Sequence, residues 1–166
     1  VNVSGNDKIT LTVGAEAALL SSLDASGMTY DAVLTTSAAS AVTVKLGSGN
    51  DTINFGTTLT GADTVTDGGN RTATTADRLT ATISGLSTVT GTGNLNISGV
   101  ENIDLITATS ASSVSAANIT GATVINAAGT AGDNTTALTI TNLPVGRSVG
   151  VGNAAAAAND IYKGTL

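Results

Sequence analysis

The chain of 166 residues contains no cysteine, histidine or tryptophan, and it has only one proline, one methionine, one phenylalanine and two tyrosines. The absence of cysteine excludes disulfide frameworks and thiolate nucleophiles. The absence of histidine excludes imidazole bases, Ser-His-Asp triads and histidine-ligated metals. Any catalytic or metal-binding chemistry must therefore depend on carboxylates, hydroxyls, amides and a few lysines and arginines.

Charged residues are scarce as well, because Lys, Arg, Asp and Glu make up 11% of the chain and the net charge is −6. Nucleic-acid binding and basic membrane-surface helices need a positive surface, so we expect neither. No apolar run approaches the roughly 20 residues that cross a bilayer, so no transmembrane segment is predicted. No stretch resembles a signal peptide, and the chain looks like an excerpt of a longer secreted protein.

Small residues dominate what is present, with 30 threonines, 26 alanines and 20 glycines. With almost no aromatic side chains to fill a wide interior, we expect narrow layers of Val, Ile, Leu and Ala. Short alternations of β-branched and small residues, separated by Gly, Asn and Asp, predict many short strands. We predict one all-β region over 1–166, a parallel β-helix or β-roll-like solenoid. A β-sandwich is the alternative, since alternation looks alike in both.

The alternation of β-branched and small residues predicts eleven strands. They are Lys8–Val13, Ala41–Leu46, Thr52–Phe55, Asp63–Thr66, Arg78–Ile83, Thr88–Thr90, Asn94–Ser98, Asn102–Thr107, Ala122–Asn126, Ala137–Asn142 and Ser148–Val151.

Two stretches have a different character. The segment 15–23 contains strong helix formers, with Leu19 and Leu23 four residues apart and Gly27 beyond them, and predicts a short helix. The alanine run 154–158 is consistent with either a short helix or an extended connector.

The second half of the chain repeats a short sequence motif, which supports the solenoid. Leu79-Thr-Ala-Thr-Ile-Ser-Gly-Leu is followed by Leu95-Asn-Ile-Ser-Gly-Val, and similar apolar pairs occur near Val124 and Leu138. The spacing varies between about 14 and 21 residues, which is within the range of one solenoid coil.

The sharpest local motif is Gly47-Ser-Gly49-Asn50-Asp51-Thr-Ile53-Asn. It fits the calcium nonapeptide G-G-x-G-x-D-x-U-x except at the second glycine. Glycines permit a turn that aims carbonyl oxygens inward, and the aspartate adds a hard carboxylate ligand. Such a turn forms half of a calcium site, so a neighbouring turn must supply the other half.

Related fragments provide candidate partners for this turn. Gly5-Asn-Asp7-Lys-Ile repeats its centre, Gly61-Ala-Asp63-Thr-Val has the same Gly-x-Asp-x pattern, and Asp67-Gly-Gly69-Asn supplies a double glycine. Asp77, in Asp-Arg-Leu, completes the set. Ordinary turn chemistry is the alternative reading of all these fragments, because Asn and Asp hydrogen-bond their own backbone and Gly tolerates positive φ.

Four further interpretations bear on the acids and the threonines. Arg71 and Arg78 lie close enough in sequence to neutralise the acids by pairing. Paired carboxylates also cleave glycosides, but the aromatic platforms that bind sugars are nearly absent, so we expect no enzyme. Thr-x-Thr units such as Thr64-Val-Thr66 are compatible with an ice-binding array, but solvent-facing strand positions explain them better. For Glu101 we favour capping of a turn over calcium binding.

The residues 47–54, together with Ile97-Ser-Gly-Val-Glu-Asn-Ile-Asp-Leu105, resemble the RTX-type calcium-binding proteins of Gram-negative bacteria, and most closely their surface-layer branch. The resemblance implies type I secretion, a calcium-stabilised β-roll or β-helix and assembly into a lattice outside the outer membrane. Other parts of such a protein would contact cell-surface polysaccharide. The ligands it implies are Gly47, Gly49, Asn50, Asp51, Asp63, Asp67, Gly69 and Asp77, with Asp7 as a weaker candidate.

Two other functions remain open from the sequence. One is a repeat or ligand-binding module of a large RTX adhesin. The other is a glycan-modifying β-helix enzyme or its accessory module. A lattice protein should form ordered sheets with calcium, an adhesin spacer should remain a monomeric rod, and an enzyme should show a carboxylate-lined groove with turnover.

Overall fold

A computed structural model describes residues 1–14, 19–69, 76–129 and 136–153, without the side chains of 151–153. Within these ranges the chain forms fifteen strands. They are β1 (Asn2–Gly5), β2 (Ile9–Val13), β3 (Ser22–Met28), β4 (Ala32–Thr36), β5 (Thr43–Lys45), β6 (Thr52–Asn54), β7 (Thr64–Thr66), β8 (Arg78–Ile83), β9 (Asn96–Ser98), β10 (Asn102–Thr107), β11 (Ser112–Ser115), β12 (Ile119–Thr120), β13 (Val124–Gly129), β14 (Leu138–Thr141) and β15 (Ser148–Asn153).

The strands form two main sheets, and each pair of neighbours is parallel. The six-stranded sheet has the order β1-β3-β5-β7-β9-β12, the seven-stranded sheet has the order β15-β13-β10-β8-β6-β4-β2, and β11 pairs with β14 in a short third sheet. Because the chain visits the two main sheets in alternation, it winds as a coil. The predicted parallel solenoid is confirmed, and the described strands contain no antiparallel pair of the kind a sandwich requires.

Most of the variation in coil length lies at the corners. Along the seven-stranded sheet the shortest step between paired residues runs 19 residues, from Val33 to Thr52, and the longest runs 26, from Thr52 to Arg78. The paired strands keep their register through both steps. Corner loops therefore absorb the variation that makes the repeat irregular in the sequence.

The core consists of apolar rows that continue from coil to coil. In the seven-stranded sheet, one inward row contains Leu34, Ile53, Leu79, Ile103 and Ile125. In the six-stranded sheet, the facing row contains Leu23, Val44, Val65, Ile97 and Ile119. Alternate residues point outward, so Thr64 and Thr66 are exposed on either side of buried Val65, as the solvent-facing interpretation of the threonines predicted.

Most strand predictions are confirmed, and Arg78–Ile83 and Asn102–Thr107 have the predicted bounds. The strand predicted at Thr88–Thr90 is wrong, because these residues form a turn in which Val89 is 94% exposed. Hydroxyl and amide bonds to Ser87 hold this turn, so local side-chain bonding replaces a ladder.

The helix predicted over residues 15–23 is wrong at its end, because Ser22 and Leu23 begin strand β3. Leu23 is fully buried and pairs in register with Val44 of the next coil, so the ladder overrides the helix propensity. Residues 15–18, the alanine run 154–158 and Arg71 lie outside the described residues. In the part of the chain that is described, no helix has the length and apolar character needed to cross a membrane.

Candidate cation site at a corner of the solenoid

Three aspartates meet at the corner where the chain passes from the six-stranded to the seven-stranded sheet. Asp51 lies one residue before β6, Asp77 lies one residue before β8, and Asp67 lies one residue after β7. One carboxylate oxygen from each lies within 4.8 Å of one from each of the others. Asp51 is 1% exposed, Asp77 is 0% exposed and Asp67 is half-buried.

The strand period explains why these side chains point inward. Asp51 and Asp77 each stand two residues before a core residue, Ile53 and Leu79 respectively, and Asp67 stands two residues after core residue Val65. Side chains two apart on a strand share a face. The ladder Ile53↔Leu79 also places Asp77 directly beside Asp51 in the next coil. Along each of these three strands, the inward-facing position nearest the corner is therefore occupied by a carboxylate.

Backbone amides occupy several of the carboxylate oxygens. The Ala32 N–H donates to Asp51 Oδ1 over 2.7 Å, and the Gly47 N–H donates to Asp51 Oδ2 over 2.9 Å. The Asp51 N–H in turn donates to Asp77 Oδ1 over 2.5 Å. Asp51 and Asp77 therefore each cap the amide at the equivalent position of the preceding coil, just before strand pairing begins.

Two oxygens of the cluster have no donor. Asp67 Oδ1 and Asp77 Oδ2 are buried without a hydrogen-bond partner, although the two carboxyl groups lie within hydrogen-bond reach of each other. Two ionised carboxylates cannot bond to each other, but a shared proton or a bound cation would satisfy these atoms. A fully buried carboxylate with an unpaired oxygen is costly to leave uncompensated.

The pKa values of the three acids reflect this arrangement. Burial raises the pKa of Asp77 to about 7, against the ordinary 3.8, with further increases from the charges of Asp67, Glu101 and Asp51. Burial is also the main reason that the pKa values of Asp51 and Asp67 are raised. Without a cation, these carboxyl groups are therefore protonated more readily than an ordinary aspartate.

The basic residues of the described chain pair elsewhere. Lys8 Nζ lies 2.7 Å from Asp31 and Lys45 Nζ lies 3.8 Å from Asp24. Arg78, which the sequence suggested as a neutralising partner for the cluster, instead forms an ion pair with Asp104 at 2.5 Å. Within the described ranges, no lysine or arginine forms an ion pair with the three clustered aspartates.

Three of the other predicted ligands, Gly47, Asn50 and Gly69, present backbone amides to carboxylates. Gly47 donates to Asp51, the Asn50 N–H donates to Asp31 Oδ1 over 3.1 Å, and the Gly69 N–H donates to Asp67 Oδ2. Gly69 has φ 102°, in the region that favours glycine. Their proposed part as carbonyl ligands stays a prediction.

Gly49 is required by close backbone packing. A Cβ atom there would lie 2.5 Å from the carbonyl carbon and 2.6 Å from the carbonyl oxygen of Tyr30 in the preceding coil. We expect Gly49→Ala to lower the free energy of unfolding by about 1–3 kcal/mol, as overpacking does. Gly14→Ala is the matched control, because a Cβ there meets nothing within 4 Å. Urea unfolding of both variants tests this, and equal stabilities would contradict it.

Asp63 and Asp7, also predicted as ligands, lie apart from the cluster. Asp63 stands four residues before Asp67 along β7, about 13 Å away at the rise of a strand. Its Oδ1 accepts from the Val42 N–H and its Oδ2 accepts from the Thr60 N–H, both over 2.8 Å. Asp7 is exposed and accepts from the amide of its neighbour. Their roles as ligands remain predictions, and the geometry of Asp63 is that of a cap.

Removal of the Asp63 carboxylate should therefore affect stability and leave cation binding alone. Asp63→Ala leaves two amides without an acceptor, so we expect about 2 kcal/mol or more of destabilisation. Chemical denaturation measures the loss, and calorimetric titration with calcium measures the affinity. A drop in affinity of tenfold or more, at conditions where the variant is folded, would assign Asp63 to the site.

The sequence favours a capping role for Glu101 but does not show which amide it caps. In the structure, Glu101 Oε2 accepts from the Asp77 N–H of the preceding coil over 2.8 Å. The spacing of the sequence could not show this, because a corner whose length changes from coil to coil hides which residues become ladder neighbours. The shared pattern of an acid two residues before an isoleucine or leucine was the available signal.

Comparisons of the chain with protein-family models, with curated proteins and with solved structures found no match.

Proposed function

We propose that the chain is a calcium-stabilised structural module of a secreted bacterial surface layer. The observation that carries the proposal is the cluster of Asp51, Asp67 and Asp77, in which two buried carboxylate oxygens have no hydrogen-bond partner. Calcium prefers oxygen ligands, tolerates irregular geometry and is commonly bound by carboxylates. Its charge would compensate a site that the described lysines and arginines do not neutralise.

The ion would act by joining coils. Asp51 belongs to one coil, whereas Asp67 and Asp77 belong to the next, so a cation bound by all three ties two coils together at their corner. It would also remove the mutual repulsion of the carboxylates. Since a preformed site is absent from the unfolded chain, binding energy contributes to folding. Folding would then be favoured in the calcium outside a cell and disfavoured at the low calcium inside.

A structural role is supported over a glycan-cleaving one by how the acids are used. Both oxygens of Asp51 accept backbone amides, and Asp77 is fully buried, so neither carboxylate is presented to a sugar in solution. Glycosidases place two carboxyl groups on either side of an open cleft. The resemblance to the surface-layer branch of RTX-type proteins supports secretion, assembly at the cell surface and self-association through calcium.

Binding stoichiometry tests the metal part of the proposal. In calorimetric titration of the chain with calcium at pH 8, we expect one site of the strongest class, because the other described acids are held by amides or basic side chains. Asp77→Asn should abolish it, and Asp24→Asn, which removes a surface charge, should not. Absence of binding at millimolar calcium would overturn the proposal.

Electron microscopy tests the assembly part. Calcium-loaded protein should form ordered two-dimensional sheets that disperse when a chelator is added. Monodisperse rods that bind calcium would favour the adhesin module instead.

A further inference from the structure

We propose that Glu101 positions Asp77 without binding the cation itself, and that it supplies a fourth negative charge to the site. This charge sets how strongly the site prefers ions of higher charge. The inference rests on the proposed calcium function and adds a residue to it. It concerns the short corner 99–101, which lies in the coil after the one that holds Asp67 and Asp77.

The position of this corner is fixed by the two ladders on either side of it. Thr66 pairs with Ser98, so Gly99 follows directly over Asp67. Arg78 pairs with Asn102, so Glu101 lies directly over Asp77. The three residues 99–101 therefore connect the same two sheets as the longer corner of the preceding coil, and they lie over Asp67 and Asp77.

Close packing leaves this corner little freedom. Gly99 has φ 85°, and a Cβ atom there would lie 2.8 Å from the Cβ of Asp67. Val100 is fully buried. The Glu101 carbonyl accepts from both the amide and the hydroxyl of Thr123 in the following coil, over 2.8 and 3.1 Å. The corner is thus held by the packing of Gly99 against Asp67 in the preceding coil and by hydrogen bonds from Thr123 in the following coil.

The side chain of Glu101 is directed toward the cluster. Its Oε2 accepts from the Asp77 N–H over 2.8 Å, which fixes the residue that contributes the unpaired buried oxygen. The negative charge of Glu101 also acts on Asp77, since it is among the causes of the raised pKa of that carboxyl. Among the described residues, no lysine or arginine forms an ion pair with Glu101.

Charge and hydrogen bonding can be separated with one substitution. Glu101→Gln keeps a side-chain oxygen that accepts the Asp77 amide and removes the charge. Without that charge the cation-free protein loses repulsion, whereas the cation-bound protein loses attraction. A residue that only caps the amide would show neither effect.

The experiment compares the intact chain, Glu101→Gln and the control Asp24→Asn, titrated with calcium and with lanthanum at pH 8. We expect Glu101→Gln to weaken calcium binding about tenfold and lanthanum binding about thirtyfold, because Coulomb attraction scales with the charge of the ion. We also expect the metal-free variant to unfold at a higher temperature than the wild type. Asp24→Asn should change both affinities by less than about twofold.

The outcomes separate this inference from the function on which it rests. Equal affinities in the wild type and Glu101→Gln would overturn the inference, as would equal weakening for both ions or a lower unfolding temperature of the metal-free variant. Failure of the wild type itself to bind calcium or lanthanum would overturn the proposed function.

Discussion

Calcium should raise the midpoint of thermal unfolding of the chelator-treated protein by about 5–10 °C when it is present at about a hundred times its dissociation constant. A ligand at that excess stabilises the folded state by about 2.7 kcal/mol. For a chain of this length, each kcal/mol shifts the midpoint by roughly 2–4 °C. Differential scanning calorimetry in chelator and in calcium measures the effect.

The variant Asp77→Asn is the decisive control for this result. Asparagine retains an oxygen that accepts the Asp51 N–H, so the cap survives. At pH 8, above the raised pKa of Asp77, it removes one of three crowded negative charges, so the metal-free variant should unfold at a higher temperature than the metal-free wild type. Calcium should then not raise the midpoint of thermal unfolding of this variant. A calcium-dependent rise of similar size in Asp77→Asn would place the effect at another site.

The second large effect is a reversal of the pH dependence of stability by calcium. The pKa of Asp77 is raised to about 7 in the folded protein, against 3.8 for an ordinary aspartate. A group with a raised folded pKa contributes stability that is complete below pH 3.8 and is lost as the pH rises through about 7. The raised pKa values of Asp51 and Asp67 act in the same direction. In chelator, the protein should therefore unfold at a lower temperature at pH 8 than at pH 5.

Calcium should reverse this trend because it binds the ionised site and competes with the proton. If one proton is displaced, the apparent affinity rises about tenfold per pH unit below pH 7 and levels off above it. Calorimetric titrations at pH 5.5, 6.5 and 8 measure the slope. An affinity independent of pH over this range, with the pH 5 to 8 trend unchanged by calcium, would contradict the shared-proton description. Asp77→Asn should show no trend near pH 7 in chelator.

The parallel solenoid could be predicted because composition and alternation agree over most of the chain. A near absence of aromatics and a wealth of Thr, Val and Ile favour thin stacked layers, and the phrase around Leu79 recurs at Leu95. The choice against a sandwich needed the register, since Ile53 pairs in parallel with Leu34 and with Leu79. Strand β3 was missed because Ala and Leu favour a helix locally, and only its ladder partners make residue 23 part of a strand.

The candidate site could be predicted in part. The alternation Asp51-Thr-Ile53 and Asp77-Arg-Leu79 indicates two inward-facing carboxylates, and the structure brings them together with Asp67. The sequence could not show that Asp63 faces amides at the other end of the same strand. It also could not show that Glu101 lies over Asp77, because the corner shortens from eleven residues to three between those coils.

An anomalous-difference map from crystals grown in calcium tests the central claim most directly. The account predicts one peak at this corner, within about 2.3–2.6 Å of a carboxylate oxygen from each of Asp51, Asp67 and Asp77. A calcium peak elsewhere on the chain, with these three carboxylates unliganded, would contradict it.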